Sequence, residues 1–383
     1  MFLFLIEYVL MKIAFLIGSL ANAHGVERTL IDKANYLASK GHTVSMLTYE
    51  QGLHPIAFPL SEKVKHVDLE CRFFTLYKYS FLVRQFKAFK LKTLFRKRLH
   101  SFLKDSQIQV LVVTAYSQEF LDDIMSVRKE VPVVVESHSA FFYDNHRKST
   151  LVCLRNFLFI QTVRKCNLLI ALTKGDATDW KRYVHNVITV PNPLSYYCDD
   201  TTNLVRIDKR IVCAGRLYAP KRFDRLIRAF AEIAAHCPGW YVDIYGDGED
   251  RGKLESLIKD LSMDNRIFLK SQTDDIFKEF KSSQFCVISS DFEGFSLVLI
   301  EAMGCGLPVV STACPYGPQE LIEDGITGIL SDLEVDSLAQ KIEWMATHDS
   351  ERKMMGNNAH LAAALYKKEN VMARWEAAYY SVL

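Results

Sequence analysis

With 383 residues, 49% of them apolar and 24% charged, the chain exceeds one ordinary core and is too apolar to be disordered or fibrous, so two domains are expected. A net charge of +2 excludes a surface built throughout for nucleic acid, and any charged partner must meet a local patch. The nine cysteines are odd in number and include no C-x-x-C pair. They speak against a disulfide frame or a zinc site, and predict reduced, mostly buried thiols in a cytoplasmic protein.

Met1 to Leu10 is apolar apart from Glu7, too short to span a bilayer, and lacks the basic start and cleavage site of a signal peptide. It reads as an upstream extension that the fold does not need, with membrane anchoring as the alternative. From Lys12 onward, short apolar runs alternate with helix-like stretches, the βαβ rhythm of a covered parallel sheet. The runs before Pro191 are Ile13 to Ile17, Thr43 to Leu47, Val110 to Val113, Val131 to Val135 and Leu168 to Leu172. Those after it are Ile211 to Ala214, Tyr241 to Tyr245, Ile267 to Leu269, Phe285 to Ile288 and Pro308 to Val310.

Within the first half, residues 84–104 carry eight Lys and Arg residues and no acid. Ala88, Leu91, Phe95, Leu99 and Phe102 recur at steps of three and four, which predicts an amphipathic helix with a basic face. That face is either a solvated domain surface or a surface for anionic lipid headgroups, with nucleic acid a weaker choice. The stretch from Pro191 to Asn203, rich in Pro, Asp, Asn and Thr, is the expected hinge. It divides the chain into domains at 1–190 and 191–365, with a final helix at 366–383 expected to pack back on the first. Two doubly wound Rossmann-like halves bind at the carboxyl ends of their strands, which puts a ligand in a central cleft between them.

The second half carries the chemistry. Gly215-Arg216-Leu-Tyr-Ala-Pro-Lys221 follows the run ending at Ala214, placing two cations in the loop at a strand's carboxyl end. Arg grips phosphate oxygens in bidentate fashion and Lys adds a mobile point charge, though alone a solvated loop is the commoner meaning. Asp291-Phe-Glu293-Gly294-Phe295-Ser296-Leu297 then leads into a helix that contains Glu301. The start of such a helix offers free N–H groups and a positive dipole end to a diphosphate. Glu293 and Glu301 can accept hydrogen bonds from sugar and ribose hydroxyls. The acidic pairs Asp122-Asp123, Asp199-Asp200 and Asp274-Asp275 sit in helix-like or linker stretches rather than directly after a strand. No metal and no other cofactor is therefore expected.

On these residues the chain resembles the retaining glycosyltransferases of family 4, in the GT-B class, of the bacterial polysaccharide and lipopolysaccharide type. Glu293 and Glu301 match the family's E-x7-E element, and Arg216 and Lys221 its phosphate-gripping pair. Tyr245-Gly246-Asp-Gly248, Tyr316 to Ile322 and Gly325 to Gly328 fall at its Gly-rich turns. By the same resemblance Gly18 to Gly25 faces the donor, with Gly25 opening a helix, and His138 faces the transferred sugar. The chain departs from the pattern in having His24-Gly25 for two glycines, Ser137 between Glu136 and His138, and Lys270-Ser271 where a Gly is common.

The resemblance implies an α/β hexosyltransferase moving a hexose or N-acetylhexosamine from a nucleotide-diphosphate sugar, UDP-sugar favoured. The acceptor is a saccharide, expected to be lipid-linked and built at the inner face of the cytoplasmic membrane. Glu293, His138, Arg216 and Lys221 form the implied catalytic set. Gly25, Gly215, Gly246, Gly248, Gly294, Phe295, Ser296, Leu297 and Glu301 complete the donor site. An epimerase of the same shape acting on free UDP-sugar and a non-catalytic carbohydrate-binding relative remain the alternatives. A nicotinamide dehydrogenase is disfavoured, because no G-x-G-x-x-G follows the first strand.

Overall fold

The computed structural model describes residues 10–22, 24–114, 120–138, 150–201, 204–273 and 275–383. Met1 to Val9 of the expected extension, the last two residues of the expected hinge and Asp274 lie outside the described residues. Two compact units form. One comprises Met1–Ala171, Ala177–Val190 and Met372–Leu383, the other Leu172–Asp176 and Pro191–Val371.

The first unit is a seven-stranded parallel sheet of order β3-β2-β1-β4-β5-β6-β7. Its strands are β1 (Lys12–Ile17), β2 (Thr43–Thr48), β3 (Val64–Asp68), β4 (Val110–Thr114), β5 (Val133–Ser137), β6 (Leu168–Ala171) and β7 (Val187–Thr189). Central strands such as β4 (VLVVT) are buried at every position, as a parallel sheet covered on both faces requires. The expected strand from Val131 is shifted, because Pro132 supplies only its carbonyl to Leu111 and the ladder starts at Val133. Two strands of this sheet escaped prediction. In β3 the sequence VKHVD is half polar at the sheet edge, and β7 has only three residues.

Helices α1 (Gly25–Ser39), α2 (Phe81–Asp105), α3 (Leu121–Met125), α4 (Thr150–Val163) and α5 (Lys174–Trp180) connect these strands. In α1, Leu30, Ile31, Ala34, Leu37 and Ala38 recur at helical spacing and are buried. The expected basic helix is α2, whose second half buries Phe95, Leu99 and Leu103. Part of its basic face is neutralised, because an acid distant in sequence reaches it. Arg96 lies 3.3 Å and Lys92 3.8 Å from the Asp123 carboxylate, and Arg98 donates to the carbonyls of Leu69 and Glu70. The first half of α2 instead exposes Phe81, Leu82, Phe86 and Phe89 beside Arg84, Lys87 and Lys90.

The second unit is a six-stranded parallel sheet of order β10-β9-β8-β11-β12-β13. Its strands are β8 (Arg210–Ala214), β9 (Tyr241–Tyr245), β10 (Ile267–Lys270), β11 (Phe285–Ile288), β12 (Val309–Thr312) and β13 (Gly328–Ser331). Its helices are α6 (Phe223–Ile233), α7 (Arg251–Asp260), α8 (Ile276–Ser282), α9 (Leu297–Gly304), α10 (Gly317–Leu321), α11 (Val335–Thr347) and α12 (Asp349–Ala363), and the final helix α13 (Lys368–Tyr380) belongs to the first unit from Met372 onward. Among the described residues no helix is long and apolar enough to cross a membrane.

The segment after Pro191, the expected hinge, is packed within the second unit, which begins at Pro191. Asn192, Leu194 and Cys198 are buried, Leu194 N donates to Tyr366 O, and the Tyr197 ring stacks on His360 with centroids 4.3 Å apart. Its scattered apolar side chains are too few to show a period but enough to anchor it. All nine cysteines are free, and seven are buried. Burial pushes the thiols of Cys286, Cys305 and Cys314 up to about 12, which keeps them protonated and unreactive.

Candidate active site

In an open α/β sheet a ligand meets the carboxyl ends of the strands where the strand order reverses. In the second unit that point lies between β8 and β11, neighbours in the sheet that are distant in sequence. The loops leaving these two strands carry Gly215 to Lys221 and Asp291 to Ser296.

The two loops are stitched together. Asp291 N donates to Pro220 O, Ser289 Oγ donates to Lys221 O, and Arg225 of α6 donates to Ser289 O and to the Asp291 carboxylate. Held this way, Lys221 Nζ lies 2.6 Å from Glu293 Oε1, which also accepts from Ser290 Oγ at 2.7 Å. Both bonds fall on Oε1, and no described residue donates to Oε2. Burial works against the Lys221 ammonium, but the Glu293 carboxylate outweighs it and raises the lysine above its ordinary value. Lys221 therefore stays charged.

Glu293 is held from the other side too. Its carbonyl accepts from Gly317 N at 3.1 Å, and it forms a parallel bridge with Tyr316. Ser296, at φ 64°, turns the chain into α9, so the first amides of that helix open beside Gly294 and Phe295. Glu301 is buried within α9. Phe295 is buried with its ring centroid 5.7 Å from that of Tyr366.

Arg216 differs from Lys221. Its side chain is 49% exposed and bonds Glu249 Oε2 at 3.1 Å, a solvated pair that costs little to open. Its loop is fixed by backbone, since Gly215 N donates to Tyr245 O and Leu217 N to Asp247 O. Gly246 and Gly248 permit this contact. A Cβ on Gly246 would sit 1.9 Å from Gly215 O, and one on Gly248 2.2 Å from Leu217 O. Lys270, which stands where a Gly was the common residue, accepts on its carbonyl from Gly246 N and from Arg251. Its Nζ lies 3.7 Å from Asp243.

Gly25 and His138 belong to the first unit. Gly25 is the exposed first residue of α1, its carbonyl accepting from Thr29 Oγ1 at 2.7 Å. His138 follows β5, with a buried side chain whose Nε2 lies 2.8 Å from Glu136 Oε2. Burial leads the shift of its imidazole below the usual histidine value, with the nearby Lys33 ammonium adding to it, and the ring is neutral at pH 7. Ser290 and Arg225 were not singled out from the sequence, which named Glu136 only for its spacing from His138. Only Asp291, in the same run as Ser290, hinted at the first of them.

Two family models divide the chain. The one described as Glycosyltransferase Family 4 matches residues 23–195, and the one described as Glycosyl transferases group 1 matches residues 202–361. A glycosyltransferase of Haemophilus influenzae of uncharacterised role is 26% identical over 369 residues, 95% of this chain and 99% of its own. The structure of a TarM variant of Staphylococcus aureus superposes with a TM-score of 0.80 over 96% of this chain and 100% of that one, at 15% identity. This chain is a glycosyltransferase of the GT-B class.

An N-acetylgalactosaminyltransferase of Campylobacter jejuni, named for a diphospho-undecaprenol-linked glycan, is 25% identical to this glycosyltransferase over 371 residues, covering 96% of this chain and 97% of its own. The enzyme's two sheets are thus those of a Rossmann-like pair, and the Glu293 and Lys221 loops lie at the reversal point of the second.

Proposed function

We propose that this enzyme transfers a hexose or N-acetylhexosamine from a nucleotide-diphosphate sugar to a lipid-linked saccharide, with retention of anomeric configuration and without a metal ion. The observation that carries this reading is the joint seat of Lys221 and Ser290 on Glu293 Oε1, at the reversal point and beside the start of α9. UDP is favoured because the TarM structure holds UDP, as does that of a pneumococcal O-GlcNAc transferase. The lipid-linked acceptor takes support from the Campylobacter relative, named for a diphospho-undecaprenol-linked glycan, and we place its assembly at the cytoplasmic side.

In this mechanism Lys221, Arg216 and the first amides of α9 receive the diphosphate, while Glu293 Oε2 and His138 hold the sugar and Glu301 the ribose. The bond from the anomeric carbon to the diphosphate oxygen breaks with its electron pair leaving on that oxygen. The acceptor hydroxyl attacks the same face, and its proton passes to the departing diphosphate. Fixed cations and amides then do the work that a divalent ion does elsewhere. Turnover is expected to persist in EDTA, and proton NMR of the product is expected to show the donor's anomeric configuration. Loss of all activity in EDTA, restored only by manganese or magnesium, or an inverted product, contradicts the mechanism.

A membrane surface is the proposed meeting place with the acceptor. Phe81, Leu82, Phe86 and Phe89 of α2 are each more than 60% exposed, beside Arg84, Lys87 and Lys90. Replacing Lys87, Lys90 and Lys97 by Gln should weaken binding to phosphatidylglycerol vesicles by roughly 3 kcal/mol, about a hundredfold, at ~1 kcal/mol per charge removed. Cosedimentation unchanged by these substitutions removes the membrane from the proposal.

A further inference from the structure

Glu136 is the penultimate residue of β5 in the first unit, with no exposure at all, and three donors converge on its carboxylate. Lys33 Nζ of α1 lies 2.9 Å and His138 Nε2 2.8 Å from Oε2, while Tyr379 Oη of α13 lies 2.7 Å from Oε1. The Lys33 ammonium also sits 3.1 Å from the centroid of the Trp375 ring. Lys33, Trp375 and Tyr379 are themselves fully buried.

Such a group is costly. A buried ion pair is often matched or bettered in stability by apolar residues of the same volume, so packing alone does not call for one here. Burial pushes the Lys33 ammonium down to about 8, while Lys33 and His138 together hold Glu136 ionised against its own burial. An ionised carboxylate only accepts, so the ring nitrogen facing it must carry the proton. In a neutral imidazole that leaves Nδ1 as the acceptor atom. Both the orientation and the tautomer of His138 are thereby set by residues 103 and 243 positions from Glu136 in sequence.

We propose that Glu136 is a positioning residue for glycosyl transfer: clamped by Lys33 and Tyr379, it fixes the His138 ring in the orientation and Nε2–H tautomer that the sugar meets. The final helix, distant in sequence from every motif residue, thereby acts on the chemistry through one hydroxyl. This rests on the reading that His138 faces the transferred sugar.

The test is made on the full chain with three variants, H138A, Y379F and the double variant K33M/E136Q. The double variant removes both charges together, so that neither is stranded in the core. Nitrogen-15 NMR of the His138 ring reads the tautomer, and steady-state kinetics separate kcat from the donor KM. In the double variant the ring is expected to become a mixture of tautomers, with kcat lowered roughly 10- to 100-fold and the donor KM within about threefold, as when an outer partner of an active-site histidine is lost. Y379F, which keeps the packing, is expected to shift the ring's titration with a smaller loss of kcat. Should H138A be inactive while the double variant keeps the Nε2–H tautomer and full kcat, this inference falls and the sugar-facing role of His138 stands. Full turnover in H138A removes that role and the inference with it.

Discussion

Replacing Lys221 by Ala is expected to lower kcat about a hundred- to a thousandfold, a loss of roughly 3 to 4 kcal/mol of transition-state stabilisation. Its ammonium is the cation fixed at the reversal point, 2.6 Å from Glu293 Oε1. Removing it withdraws positive charge from the departing diphosphate and leaves Glu293 with Ser290 as its side-chain donor. The second consequence makes the variant less stable as well, by about 1 to 3 kcal/mol for a buried carboxylate that loses one partner.

Arg216 separates the two effects. Arg216→Ala removes a solvated pair with Glu249 and an exposed contact over the Tyr218 ring, so the melting temperature should hardly move. Turnover should nonetheless fall by roughly 2 to 4 kcal/mol of barrier, because the guanidinium is free to swing from Glu249 to phosphate oxygens. Steady-state kinetics and thermal unfolding of both variants provide the check. Unchanged turnover in either one rejects its assignment to the diphosphate.

Gly246→Ala is the second large effect, and it acts on structure. At φ 151° the residue lies where side chains are strained, and its new Cβ would stand 1.9 Å from Gly215 O. The obstacle is backbone, so no rotamer change relieves it, and a loss of roughly 3 to 5 kcal/mol follows from overpacking and strain together. A fall in Tm of about 10 °C or more is expected, together with weakened nucleotide binding, since the displaced Gly215 turn carries Arg216. Gly252→Ala is the control: nothing lies within 4 Å of its Cβ in α7, and the substitution should stabilise slightly. Equal melting temperatures for the two variants would show that the Gly246 contact is not tight in solution.

Much of the fold was readable because parallel strands announce themselves locally. Each of the ten apolar runs became a strand, since burial on both faces demands continuous Val, Ile and Leu. Polar or short edge strands carry no such demand, and Val64–Asp68 and Val187–Thr189 passed unseen. Gly328–Ser331, only four residues at the other sheet's edge, did likewise. The helix around Arg96 was legible from its period, but not its partners, because Asp123 arrives from a different helix.

The chain by itself determined two doubly wound halves and the loops that bear Arg216, Lys221, Glu293 and Glu301, because periodicity and loop chemistry are written within ten or twenty neighbouring residues. Only the tertiary structure decided that Lys221 and Ser290 share one oxygen of Glu293, and that Lys33, His138 and Tyr379 converge on Glu136. Those pairings depend on which strands become neighbours when the sheet order reverses, and on where the final helix docks. Burial free energy summed over the whole fold makes that choice, and no local spacing encodes it.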